Sequence, residues 1–110
     1  MQGLNDLNAT GNTFESFDLL NINQDIVNIN LQNNQLEQLA FPSNLEFLNS
    51  LDVSNNNLTE LSINQANNLS YLDVSNNQIQ HLLIDNFDSL NYFNEIFKFM
   101  GILIIYKRIM

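Results

Sequence analysis

A chain of 110 residues with 45% hydrophobic content is long enough for one core and one domain. Its net charge of −9 is unevenly carried: all twelve carboxylates fall between Asp6 and Glu95, and the only bases are Lys98, Lys107 and Arg108. Nucleic acid and anionic lipid surfaces are bound through Lys and Arg with release of counterions, so the acidic body excludes nucleic acid as a partner and argues against a membrane surface.

Asparagine supplies 22 residues. They interleave with Leu and Ile at fixed spacing, which marks a packed repeat and not a low-complexity tract. There is no cysteine to indicate a redox compartment. The first ten residues, MQGLNDLNAT, have neither the basic nor the apolar region of a signal peptide.

In chain order, residues 4–14 read LNDLNATGNTF, 26–36 IVNINLQNNQL, 48–58 LNSLDVSNNNL and 69–79 LSYLDVSNNQI. All four follow L-x-x-L-x-L-x-x-N-x-L with Val or Ile allowed at the Leu positions, and with Ala9 and Phe14 as variants in the first. Units start near 4, 26, 48 and 69, a period of 21–22 residues that is the signature of an array. The second half of each unit is patterned too. Phe14, Phe17 and Leu19 correspond to Leu36, Leu39 and Phe41, then to Leu58, Leu61 and Ile63, then to Ile79, Leu82 and Ile84.

On these motifs residues 4–84 resemble the leucine-rich repeat family. The 21-residue unit with a second L-x-I in its return half looks most like the repeats of bacterial surface proteins. The resemblance implies a solenoid with a short parallel β-sheet on its concave side and extended or 3₁₀ segments on its convex side. The array is expected over residues 1–87, with 88–110 as a degenerate fifth unit and an apolar C-terminal tail or cap.

Period-two alternation in L-x-L sends the leucines to one face of each strand and the intervening residues to the other. No unit buries its apolar face alone, so neighbours must stack. The consensus Asn12, Asn34, Asn56 and Asn77 stand where the chain leaves the strand. Amide side chains with donors and an acceptor suit inward-facing backbone groups there, so these four are expected to form a structural ladder.

The outward positions form three columns: Asp6, Asn28, Ser50, Tyr71 and Tyr92; Asn8, Asn30, Asp52, Asp73 and Asn94; Thr10, Gln32, Ser54, Ser75 and Ile96. Leu51, Val53, Leu72 and Val74 are expected inside, with Asp52 and Asp73 exposed on the opposite face. Aromatic groups gather toward the C-terminal end, so the partner-binding residues are expected to be Ser50, Asp52, Tyr71, Asp73, Tyr92 and Asn94.

At the fifth unit Glu95 replaces an inward apolar residue and Lys98 replaces the ladder Asn, so the array is expected to stop there. The sequence FKFMGILIIYKRIM at 97–110 allows three readings. It is a helical cap, with Leu90, Phe93, Phe97, Met100 and Ile104 at helical spacing; a truncated or unrelated segment; or a membrane stub too short to span. At the other end the chain begins inside the pattern, which admits a fragment of a longer array and self-association through uncapped ends. Localisation stays open, cytoplasmic for a complete chain and surface or secreted for a piece of a bacterial-type array.

Catalytic material is scarce. His81 stands alone, and there is no Cys, glycine-rich phosphate loop or paired-histidine motif. No enzyme, cofactor or metal site is expected, and a Ca²⁺ site would need more oxygens than the aspartate column supplies. Two function classes remain: a protein-binding module presenting an acidic and polar concave face to a neutral or basic protein surface, and a structural or adhesive spacer within a longer surface array.

Overall fold

The computed structural model describes residues 5–20, 22, 25–42 and 45–84, and the backbone of 92–94 and 104–106. Each L-x-L motif becomes one short strand and each return half another. In chain order these are β1 (Asp6–Asn8), β2 (Ser16–Asp18), β3 (Asn28–Asn30), β4 (Gln38–Ala40), β5 (Ser50–Asp52), β6 (Glu60–Ile63), β7 (Tyr71–Asp73), β8 (His81–Ile84), β9 (Tyr92–Asn94) and β10 (Ile104–Tyr106).

The odd strands form one long parallel sheet, β1-β3-β5-β7-β9. The even strands, on the return side, split into β2-β4 and β6-β8-β10. The chain is therefore a parallel β-solenoid with a repeat of about 22 residues, as the register Leu7↔Ile29↔Leu51 shows. Among the described residues there is no helix of any kind, and the return strands β2, β4, β6 and β8 are extended.

The core lies between the sheets. Ile29, Leu51 and Leu72 from the long sheet are fully buried, as are Leu31, Val53 and Val74 just beyond each strand. Leu61, Ile63, Leu82 and Ile84 close it from the return side. At about 25 cal/mol per Å² of apolar area, such stacked columns are the main favourable term, and no single turn could supply them.

Two of the residues at helical spacing in the tail lie in strands. Phe93 lies in β9 and Ile104 in β10, each strand paired in parallel with the preceding turn. The other three residues of that spacing, Leu90, Phe97 and Met100, lie outside the described residues. The physical reason is an open strand edge. Without β9 and β10, β7 and β8 would each present unpaired backbone groups, and ILIIY at 102–106 has the β-branched and aromatic character that fits a sheet edge. Ile104 pairs with His81, 23 residues earlier, whereas His81 pairs with Glu60, 21 earlier. The return strand of a fifth turn thus forms despite Glu95 and Lys98, and the pairing does not stop where the consensus does.

Candidate functional site

The expected columns are the observed register. Asp6, Asn28, Ser50, Tyr71 and Tyr92 are successive partners across the long sheet, and so are Asn8, Asn30, Asp52, Asp73 and Asn94. Tyr71 and Ser50 are half-buried on the outer face. Asp6 and Asn28 are exposed at the N-terminal end, where the Asn28 amide donates to the Asp6 carboxylate. For Tyr92 and Asn94 the structure gives the strand position.

Asp52 and Asp73 are not the exposed carboxylates expected from alternation. Each is only 8% exposed, and each is engaged by its own chain. Asp52 Oδ1 accepts from the Ser54 backbone N–H at 3.0 Å and from Ser54 Oγ at 2.7 Å. Asp73 Oδ1 accepts from Ser75 in the same way, at 3.0 and 2.6 Å. Asn8 does so with Thr10, and Asn30 accepts from the Gln32 N–H at 3.1 Å. The column is a series of side-chain-closed turns, because a short Asx acceptor can bond the backbone N–H two residues on. Gln32 Nε2 adds a bond across strands to Asp52 Oδ2 at 2.7 Å. The pattern [Asp/Asn]-x-[Ser/Thr/Gln] beginning at the last residue of each of these strands, present in all four units, was the available signal.

The ladder asparagines carry the inner side of the same turns. Asn34, Asn56 and Asn77 are buried, while Asn12 is exposed and donates only within its own turn, to Ala9 O and Thr10 O. Asn56 Nδ2 donates to Val53 O at 2.9 Å, to Ser54 O at 3.2 Å and to Leu31 O of the previous turn at 3.0 Å. Its Oδ1 accepts the Leu36 N–H at 3.0 Å. Asn12 lacks this role because no earlier turn lies behind it among the described residues. Immediately before each ladder Asn the backbone is left-handed: Gly11 at φ 75°, Asn33 at 60°, Asn55 at 57° and Asn76 at 57°. Gly and Asn are the residues that tolerate this conformation. That explains the doubled Asn of the repeated LDVSNN: the first supplies the turn and the second fills it.

The return side holds a second feature that the repeat pattern does not reveal. In the first two turns the backbone ladder runs on past the turn, with Gln35 N–H to Phe14 O and Glu37 N–H to Glu15 O. In the third and fourth turns Gln78 N–H and Gln80 N–H do the same toward Leu58 O and Thr59 O. Between the second and third turns only Asn57 N–H to Leu36 O forms, and β4 and β6 do not pair. Two hollows, of about 1020 and about 510 Å³, meet over this seam at Leu39, Ala40 and Glu60. Phe41 stands beside this parting. It stands in the column otherwise filled by Leu19, Ile63 and Ile84, is larger than any of them, stays only partly buried, and is followed by Pro42, which has no N–H to offer.

His81 is exposed and isolated, and no group of three His, Cys, Asp or Glu able to hold a metal occurs among the described residues. No helix among them is long and apolar enough to cross a membrane. Comparison with protein-family models, with curated proteins and with solved structures finds no match to this chain.

Proposed function

We propose that the chain is a leucine-rich repeat module that binds a protein partner without catalysis, through the outer face of its long sheet. The observation that supports this most directly is the register itself. Ser50, Tyr71 and Tyr92 are successive partners, and beside them run Asp52, Asp73 and Asn94, so the aromatic residues of the face share one edge of the sheet. Tyrosine offers a large amphipathic contact at low entropic cost, and carboxylates held rigid in turns supply a fixed negative field. The partner surface this suits is neutral or basic. No cofactor is invoked.

The spacer reading has its own support. Asp52, Ser54, Asp73 and Ser75 are buried and bonded within their turns, which leaves fewer groups for recognition than the sequence suggests. The two readings separate in one experiment. The full chain recovers a binding protein from its source, and the affinity of that protein is then titrated against Tyr71→Ala and Gln80→Ala. A module loses about tenfold or more with Tyr71→Ala and nothing with Gln80→Ala. Equal effects of both variants would favour the spacer.

A further inference from the structure

The seam between β4 and β6 has the features of a second docking surface, independent of the long sheet. Its two walls are strand edges that face one another and do not pair, so both leave backbone donors and acceptors open. Open edges of this kind take an added strand, with main-chain bonds for affinity and alternate side chains for specificity. Inward of the seam are Leu39 and Phe41, both only partly covered by the core. Outward of it are the exposed carboxylates of Glu37 and Glu60; no Lys or Arg precedes Lys98 in the chain, and the one histidine, His81, is the strand partner of Glu60 on its far side. The hollows over it, about 510 and about 1020 Å³, fall in or near the range that ligand sites occupy, roughly 300–1,000 Å³.

We propose that this seam binds an extended peptide of another protein whose residues alternate between basic and apolar. In an extended strand successive side chains point to opposite faces. One row then enters toward Leu39 and Phe41, and the other lies outward beside Glu37 and Glu60. The acidic rim selects Lys or Arg for the outer row, and the partly covered apolar floor selects Val, Ile or Leu for the inner one. The seam is specific to one pair of turns, because the pairs on either side have closed ladders.

The test uses the full chain and three synthetic peptides, KVKVKVKV, KGKGKGKG and EVEVEVEV, titrated by fluorescence anisotropy and mapped by amide hydrogen exchange. KVKVKVKV should bind at least tenfold tighter than KGKGKGKG, and EVEVEVEV should not bind. Binding should protect the backbone amides of residues 38–40 and 60–62. The double variant Glu37→Gln, Glu60→Gln should weaken it about tenfold, and Tyr71→Ala should leave it unchanged. Equal binding of the two lysine peptides would reduce the effect to bulk charge and overturn the proposal. So would protection confined to the long sheet, sensitivity to Tyr71→Ala, or no binding at all.

Discussion

Asn77 accepts the backbone N–H of Leu58 with its side-chain oxygen at 3.0 Å, and its amide nitrogen donates to the carbonyl of Val53 at 2.9 Å. One side chain therefore bonds both strands' flanks of the preceding turn, while two further bonds to Val74 O and Ser75 O hold its own. A buried donor or acceptor stripped of its partner costs about 1–3 kcal/mol. We predict that Asn77→Leu destabilises the protein by about 3 kcal/mol in urea unfolding. Asn12→Leu, at the exposed first position, should cost less than about 1 kcal/mol. Comparable losses at both positions would show that the bonds reaching back across turns contribute little.

The residue before each ladder asparagine tests a different property of the same turn. Asn55 holds φ at 57°, a region that costs a side chain about 1–2 kcal/mol unless it is Gly or a short polar residue. Asn55→Gly should leave the unfolding midpoint within error of the wild type or raise it slightly. Asn55→Val, β-branched, should lower stability by about 2 kcal/mol. If the two variants melt together, the left-handed geometry is not being enforced.

The aspartate column distinguishes chemistry from charge. Asn8 and Asn30 do for their turns what Asp52 and Asp73 do for theirs, so the turn requires an acceptor and not an anion. Asp73→Asn should be nearly neutral in stability, and Asp73→Ala should cost about 1–2 kcal/mol through loss of the bonds from Ser75. A loss on Asp73→Asn as large as on Asp73→Ala would assign the role to charge.

In the core, Leu72 is completely buried between Leu51 and β9. Leu72→Ala should cost about 2–5 kcal/mol, as truncation of a packed leucine does. An unchanged thermal midpoint would mean that this position does not face inward.

Much of this architecture was legible before any coordinates. The alternation in L-x-L sorts inner from outer positions, and the fixed period sets which residues face which across strands, so the pairing of Asp52 with Asp73 follows by counting. What alternation does not carry is what happens beside an outward side chain. Asp52 points away from the core yet is covered, because its partner is the serine two residues ahead. The strand positions of Phe93 and Ile104 escaped the pattern for a related reason. Leu90, Phe93, Phe97, Met100 and Ile104 satisfy a helical period within their own segment, but without β9 and β10 the edges of β7 and β8 would stand open, which no local pattern records. The seam has no counterpart in the consensus, which treats Phe41 as equivalent to Leu19 and Ile63 although it is larger and only partly buried.

The unpaired return strands also have a mechanical meaning. Between the second and third turns the long sheet is continuous, from β3 to β5, while the opposite side is parted. A stack fastened along one side only bends about that side, as a book opens about its spine. The other interfaces between turns carry strand pairing on both sides and resist the same motion. Compliance is thus concentrated at one interface, with a two-turn block on one side of it and the later turns on the other. Turn-to-turn coupling sets how far unfolding spreads through such a stack. The first block is therefore the segment whose amides should exchange earliest as a group under mild denaturant.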